Sequence, residues 1–437
     1  MEPNLKQTVL SLTKNADYQR IAKNFFSLGI IQVTNYLVPL LLLPYLLPTL
    51  GLAQYGVMVF AQTIIGYFES VMLYGFYFTA VQQVSQNNGD KEKQNKIVGR
   101  IMIAKIILAT LSISLLLLLA FIVPRFEEIR ILLLFGILYC IAHIFHFDWF
   151  FMGIQEMKNL TILNLVSRLF SIVWVFSMVK TDKDVAKAFL SVPIGYLITG
   201  ICSLCLVVFK YKVKINFGSW KDGWEEIKNG FHFFYSQLMI RFYSADINIA
   251  ILGFLADSAT VGIYALAHRI FSILMLISHL VTVTAFPYLS GLFANKYAEY
   301  RKKTFQMFKL MALGFGFLAI IVFVFSGWIV GFINGQPNAL STTCLRLLCL
   351  SLFMSPFLQL INQVLVLHGR SKWLPILSSI AVVANLSVFF PAYTFFNVRG
   401  LAITNNIVFT LLMALGFWAM KKEKIIFDNK QNGLSIE

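Results

Sequence analysis

The chain has 437 residues, of which 58% are hydrophobic and 13% are charged. Soluble domains carry about 25% charged residues, so this composition excludes an ordinary soluble protein. The formal net charge is +16, but the basic residues lie in short segments between apolar runs, which argues against nucleic-acid binding.

Apolar runs of about 20 residues, long enough to cross the hydrocarbon core of a bilayer as a helix, recur along the whole chain. The alternating segments of about 10 residues that are typical of transmembrane β-barrels are missing from the sequence. The sequence therefore predicts an all-α polytopic membrane protein with about 12 transmembrane helices in two six-helix bundles. The predicted spans are 25–47, 55–78, 101–123, 131–152, 160–179, 188–209, 231–255, 262–289, 307–332, 342–367, 373–396 and 401–420.

Lysine and arginine in short loops indicate the orientation of such a protein. The N-terminus, the C-terminal tail and the loops predicted on the same side hold 24 of the 36 basic residues, and the opposite loops hold 6. Both termini are therefore predicted to be cytoplasmic. The predicted organisation is a cytoplasmic N-terminus (1–24), a first bundle (25–209), a cytoplasmic linker with a short amphipathic helix (210–230), a second bundle (231–420) and a cytoplasmic tail (421–437).

A faint internal repeat relates the two halves. A shift of 206 positions lays residues 46–64 over residues 252–270, with Gly56 opposite Gly262, Ala61 opposite Ala267 and Thr63 opposite Arg269. Parallel repeats of six spans are typical of secondary transporters, which bind their substrate between the repeats.

Ionisable residues inside the predicted spans indicate a functional cavity, because a charge at the bilayer centre costs on the order of 2.5–3.5 kcal/mol. Arginine stays charged and directs two donors at a phosphate, so the deep basic residues predict an anionic ligand. The candidates for substrate binding are Arg168, Arg241, His268 and Arg269. The candidates for binding a coupling cation, H⁺ or Na⁺, are Asp246, Glu69 and Asp148. For each arginine the alternative is a buried ion pair that holds helices together.

Other polar residues in the spans are interpreted structurally. Lys105 lies close to a span end and is expected to snorkel to the interface. His143 and His146 precede the aromatic run 147–151, which is typical of anchoring at the membrane surface. No third ligand accompanies the two histidines, so no metal site is predicted. The sequence contains no Walker A motif, nucleotide-binding glycine loop or Ser-His-Asp arrangement, so no catalytic residue and no cofactor are expected.

Several stretches resemble the Wzx-type flippases. They are Asn35-Tyr36-Leu37-Val38-Pro39, Leu43-Pro44-Tyr45-Leu46, Tyr74-Gly75-Phe76 with its polar loop, and Asp148-Trp149-Phe150-Phe151-Met152-Gly153. Length, span number and the two halves of six spans also fit, so the resemblance covers most of the chain. These flippases belong to the multidrug/oligosaccharidyl-lipid/polysaccharide exporter superfamily.

The resemblance implies a MATE-like, V-shaped pair of bundles with a cationic central cavity, alternating access and cation antiport. It also implies the substrate, an undecaprenyl-diphosphate-linked oligosaccharide that moves from the cytoplasmic to the periplasmic leaflet of a bacterial inner membrane for O-antigen or capsule assembly. The implied partners are membrane lipid and the polymerase and chain-length proteins of the same pathway. The family offers no catalytic motif, so the site residues are those chosen by depth and charge.

Three alternative functions are weighed. A multidrug/cation antiporter of the same superfamily would favour acids in its cavity, whereas deep arginines match or outnumber deep acids here. A membrane polymerase or ligase of the same pathway would carry a large outer loop, and every predicted outer loop is short. A structural scaffold would give no reason for charges on several spans.

Overall fold

The structure, a computed structural model, describes residues 16–243, 246–423 and 425. These residues form helices and turns without a β-strand, and ten of the helical segments are long and apolar enough to cross a membrane. The predicted all-α membrane class is confirmed. Two features explain why the structure has ten such segments where the sequence predicts twelve spans. One segment, Gly29–Gln86, covers two predicted spans, and the predicted span 231–255 includes residues 244–245, which lie outside the described residues.

The chain divides into two compact units, and the division falls after Leu238. The main helices of unit 1 are α1 (Ala16–Leu73), α2 (Phe76–Gln86), α3 (Lys91–Ile122), α4 (Arg130–Ile144), α5 (Asp148–Gly153), α6 (Met157–Met178), α7 (Val185–Cys205) and α8 (Trp220–Tyr243). Helix α7 packs against α1, α4 and α6, while α6 also packs on α1 and α3 packs on α4.

The helices of unit 2 are α9 (Asp246–Leu255), α10 (Ser258–Asn295), α11 (Tyr297–Asn334), α12 (Ala339–Leu367), α13 (Trp373–Phe396) and α14 (Val398–Lys422), and the last turn of α8 also falls in this unit. Helix α12 is central to the unit, because it packs on α10, α11 and α14 and is the most buried of the membrane-spanning segments.

The internal repeat has a counterpart in local geometry. Helix α1 is interrupted at Gly51, whose φ of 74° and ψ of 163° are not helical and suit a residue without a Cβ. The shift of 206 positions lays Gly51 on Asp257, which caps the start of α10 after the end of α9. Ala61 and Ala267, aligned by the same shift, are both fully buried. The two halves therefore share a broken helix at the same point.

The predicted span 131–152 is broken into α4 and α5. The last carbonyls of a helix lack donors within that helix and favour a positive charge. Lys105 on α3 supplies one, because its Nζ donates to the carbonyl oxygens of His143 at 3.0 Å and His146 at 2.6 Å. The Phe147 N–H donates to Ser203 Oγ at 3.0 Å. Neighbouring helices thus provide the hydrogen bonds that the interrupted backbone lacks.

The predicted linker helix is the first half of α8, and it docks on unit 1. Trp220 and Trp224 are exposed on one side, while Glu226 is buried on the other. Glu226 Oε2 accepts from Gln83 Nε2 at 2.8 Å, and Glu226 Oε1 lies 3.8 Å from Arg100 Nε. One buried carboxylate therefore joins α2, α3 and α8.

We expect Gly400→Ala to destabilise unit 2. A Cβ at this position would lie 2.1 Å from the Ala392 carbonyl oxygen, so α13 and α14 would have to separate. Overpacking of this kind costs about 1–3 kcal/mol of unfolding free energy. The thermal unfolding midpoint in detergent measures the effect. Gly314→Ala on α11 is the matched control, since nothing lies within 4 Å of its Cβ position. Equal midpoints for the two variants would contradict the close packing.

Candidate functional site

The middle of α6 presents Arg168 to α1. Arg168 Nε and Nη2 donate to Asn35 Oδ1 at 3.1 and 2.9 Å, and Asn164 Nδ2 donates to the same oxygen at 3.0 Å. The Thr34 hydroxyl donates to Asn164 Oδ1 at 3.0 Å, which fixes the orientation of that amide. All four side chains are partly buried. They form an ordered polar cluster between two membrane helices.

The charge of Arg168 is not neutralised within this cluster. Its acceptor is a neutral amide oxygen, and among the described residues no carboxylate forms an ion pair with it. A guanidinium has five N–H donors, of which two are used here. The buried ion pair considered as an alternative from the sequence is therefore absent at Arg168 in the described part of the chain. The remaining N–H donors of Arg168 can bind an anion.

A pair of tyrosines joins the predicted acid Glu69 to this region. The Tyr139 hydroxyl donates to Glu69 Oε1 at 3.0 Å, and the rings of Tyr139 and Tyr196 lie 4.7 Å apart between centroids. Tyr196 also lies close enough to Glu69 and Arg168 for both charges to act on its hydroxyl. Unit 1 thus brings together an acid from α1, a base from α6 and two hydroxyls from α4 and α7.

Asp148, the second predicted acid of unit 1, lies at the break between α4 and α5. Its Oδ1 is 3.6 Å from His146 Nδ1, and its carboxylate is 53% exposed. His146 Nε2 lies 2.9 Å from the Tyr196 carbonyl oxygen, and the His143 ring lies 5.6 Å from the Tyr196 ring. Both histidines are buried. They connect Asp148 to the tyrosine pair.

Two interpretations from the sequence are wrong here. Trp149, Phe150 and Phe151 are at most 4% exposed, so the aromatic run packs inside unit 1 and does not anchor at the membrane surface. Lys105 is 5% exposed and does not snorkel, because the free carbonyls at the end of α4 hold its ammonium inside. Both corrections have the same cause, which is the break in the fourth span.

The predicted residues of unit 2 lie on α8, α9 and α10. Arg269 is exposed on α10, and His268 beside it is partly buried between the rings of Tyr264 and Phe271, at centroid distances of 5.7 and 5.8 Å. Because a guanidinium at membrane depth is unstable against lipid, we expect Arg269 to face protein or a water-filled cavity.

The remaining two candidates lie near the start of unit 2. Arg241 is partly buried in the last turn of α8. Asp246 is the first residue of α9, and its side chain lies outside the described residues. The structure therefore brings Arg168, Glu69 and Asp148 into one region of unit 1 and places the other four candidates on unit 2.

Sequence reasoning missed the residues that connect the site in unit 1. Tyr139 lies four positions before His143, and this helical spacing could have indicated a shared face. Tyr196 on α7 has no such signal, because its role depends on the packing of α7 against α4 and α6. In the part of the chain that the structure describes, no group of three or more His, Cys, Asp or Glu side chains could hold a metal ion.

Solved structures with the same fold are transporters and flippases. A multidrug resistance transporter of the MATE family in its inward-facing conformation matches with a TM-score of 0.70 at 14% identity, covering 93% of this chain and 100% of that one. The lipid II flippase MurJ in an inward closed conformation matches with a TM-score of 0.69 at 12% identity, covering 92% and 87%. At such low identity these matches show the fold alone.

Sequence relatives are more specific. The chain is 27% identical over 425 residues to a protein of Escherichia coli (strain K12) named "Putative O-antigen transporter", covering 94% of this chain and 99% of the relative. It is 24% identical over 411 residues to a protein of Shigella dysenteriae with the same name, covering 90% and 98%. The model of the polysaccharide biosynthesis protein family matches residues 21–293. The chain therefore belongs to the polysaccharide biosynthesis protein family.

Proposed function

We propose that this protein is a flippase that moves undecaprenyl-diphosphate-linked oligosaccharide units from the cytoplasmic to the periplasmic leaflet by alternating access. The family assignment and the relatives named as O-antigen transporters support transport in O-antigen synthesis, and capsule assembly would use the same chemistry. The observation that carries the proposal is Arg168, a membrane-embedded guanidinium held by the neutral amide oxygen of Asn35.

The Arg168 cluster suits a ligand that carries its own negative charge. Asn35 and Asn164 orient the guanidinium without cancelling its charge, so its free N–H donors are aimed before the substrate arrives. Arginine binds phosphate through two parallel hydrogen bonds, which are charge-assisted and about twice as strong as neutral ones. A diphosphate is therefore the part of the substrate that we assign to Arg168, and Arg241, His268 and Arg269 of unit 2 remain further candidates for substrate binding.

The acids of unit 1 support coupling to an H⁺ or Na⁺ gradient. Glu69 is hydrogen-bonded to Tyr139, and Tyr196 connects this pair electrostatically to Arg168. A proton or cation bound to Glu69 would change the electrostatic field at Arg168, because Glu69 and Arg168 both lie near Tyr196. We assign coupling to Glu69 and Asp148, and to Asp246 in unit 2.

We place the protein in a bacterial inner membrane with both termini in the cytoplasm. One end of unit 2 supports this orientation, since the turns at Lys296 and His368 meet there with the end of α14. This end carries most basic residues of the unit, as the positive-inside rule requires of a cytoplasmic face. The polymerase and chain-length proteins of the same pathway are proposed as partners because they use the translocated product.

A multidrug antiporter remains the second candidate, and the match to the MATE transporter favours it at the level of fold. Cationic drugs need an acid as the dominant charge of the site. In unit 1 the described acid Glu69 is accompanied by Arg168, which a cationic drug would have to displace or avoid. The anionic substrate fits the cluster better.

We expect Arg168→Gln to lower translocation of a lipid-linked oligosaccharide at least tenfold, because one charge-assisted phosphate contact contributes about 1.5–3 kcal/mol. The measurement is transport in sealed vesicles at matched protein level. Arg346→Gln is the control, since Arg346 is also membrane-embedded but donates to Ser326 Oγ at 2.8 Å outside this cluster. Equal losses in both variants would mean that any deep arginine matters, and the assignment of Arg168 would fail.

Asn35→Asp distinguishes substrate binding from a structural role of Arg168. The substitution keeps the shape and the acceptor oxygen of Asn35, but it gives Arg168 an anionic partner and cancels the charge offered to the substrate. We expect transport to fall about as far as in Arg168→Gln while the thermal unfolding midpoint is unchanged or higher. Normal transport by Asn35→Asp would show that Arg168 only connects α1 and α6.

We expect Glu69→Gln and Asp148→Asn to make transport insensitive to pH and sodium gradients while diphosphate binding persists. Each amide keeps the size of the side chain and removes its titratable charge. Initial transport rates across imposed gradients of pH or Na⁺ measure this dependence. Glu128→Gln, a change at an acid in the turn before α4, is the control. Gradient sensitivity like that of wild type in both site variants would remove these acids from the coupling role.

A further inference from the structure

A cavity of about 480 Å³ lies at the start of α11, far along the chain from the residues discussed above. Its lining residues are Ala298, Tyr300, Arg301, Lys302, Thr304, Phe305, Phe308 and Ile425. Most of this lining is apolar carbon, and basic side chains occur on the same helical turns. Pockets of about 300–1,000 Å³ with an apolar lining and a few polar groups are typical ligand sites.

Two buried hydroxyls in the lining have no hydrogen-bond partner. Tyr300 is 2% exposed and Thr304 is 4% exposed, and neither hydroxyl oxygen has a partner among the described residues. The two residues are four positions apart and therefore lie on one face of α11. A buried hydroxyl without a partner costs about 1–3 kcal/mol, so a ligand with oxygen acceptors would be stabilised here.

The depth of the cavity follows from the length of α11. Its 38 residues extend about 57 Å, against about 30 Å for the hydrocarbon core of a bilayer. Apart from Tyr297 and Phe305 near its start, the exposed large apolar side chains of this helix lie between Leu310 and Phe332, a stretch of about 33 Å along the axis. If this stretch crosses the hydrocarbon, the turns from Ala298 to Phe308 lie where the headgroups meet the acyl chains.

The charges around the cavity favour an anion. Lys302 is exposed and forms no ion pair within the described ranges, and Arg301 lies beside it. Lys296, Arg370, Lys372, Lys421 and Lys422 lie at the same end of unit 2, with Glu299 and Glu423 as acids. Hydrogen bonding to Trp373, together with the charge of Arg370, lowers the pKa of Glu423, so this acid is already ionised and paired. Lys296 lies 3.9 Å from Glu299, so both acids at this end are paired, whereas Lys302, Lys372, Lys421 and Lys422 form no ion pair within the described ranges.

We propose that this cavity is a binding site for an anionic phospholipid. The phosphate lies at Lys302 and Arg301, the glycerol ester oxygens accept from the hydroxyls of Tyr300 and Thr304, and one acyl chain lies along Phe305 and Phe308. The apolar lining selects a lipid over a free phosphate, and the basic residues select an anionic lipid over a zwitterionic one. The cavity holds the headgroup region and the start of one chain, since 480 Å³ is too small for a whole phospholipid.

The test compares retention of phosphatidylglycerol and phosphatidylcholine of equal chain length by the purified, delipidated protein, with native mass spectrometry as the readout. Wild type is expected to retain phosphatidylglycerol preferentially. We expect Lys302→Gln to lower this retention about fivefold, the effect of one basic contact at a lipid surface. Thr304→Val should lower retention, because it removes a hydroxyl and keeps the shape of the side chain. Ala298→Trp should also lower retention, because the indole fills the cavity and leaves the charge unchanged. Lys372→Gln, which removes a base at the same end but outside the cavity, should leave retention unchanged.

Four results would overturn the proposal. The first is equal retention of the two lipids by wild type. The second is an equal loss in Lys302→Gln and Lys372→Gln, which would indicate surface charge alone. The third is protection of wild type against thermal unfolding by inorganic phosphate to the same extent as by phosphatidylglycerol, which would indicate a free-anion site. A chain truncated after Ile425 that bound the lipid several-fold more tightly would assign the cavity to the chain's own C-terminal residues and would also contradict the proposal. Monodisperse elution of each variant from a size-exclusion column shows that it is folded.

Discussion

An arginine inside a membrane helix needs hydrogen-bond partners, but a transporter of anions must leave its charge available. Arg168 meets both conditions, because two of its N–H groups donate to the amide oxygen of Asn35 and no described carboxylate pairs with it. The cost of keeping this charge at depth is the constraint on which the site in unit 1 depends. The amides of Asn35 and Asn164 orient the guanidinium, and the tyrosines of α4 and α7 connect it to an acid.

Interrupted helices supply much of the polar surface in this otherwise apolar fold. Backbone that is not helical is tolerated at membrane depth only where protein groups satisfy it. The break between α4 and α5 is satisfied by Lys105 and Ser203, and it positions His146 and Asp148. The break at Gly51 in α1 recurs between α9 and α10 under the repeat that relates the two halves. The same architecture that permits crossing of the membrane therefore also brings ionisable groups together.

The two units divide the chemistry unequally. Unit 1 collects an arginine, two acids, two histidines and two tyrosines into one connected region. In unit 2, His268 and Arg269 are neighbours on α10, and the His268 ring stacks on Tyr264. Unit 2 in turn carries a basic end with an apolar cavity that is separate from these residues in the chain. The substrate site and the lipid site that we propose therefore use different residues, and we expect that each can be altered without the other.

The sequence by itself determined the membrane class and located the deep charges, because apolar run length and position within a run are local properties of the chain. It also indicated Arg168 and Glu69 as candidates. It could not show that Arg168 is held by an amide without an acid, that Lys105 is buried, or that the aromatic run 147–151 packs inside unit 1. Those outcomes depend on which helices lie beside α4 and α6, and such contacts arise only when helices far apart in sequence pack together.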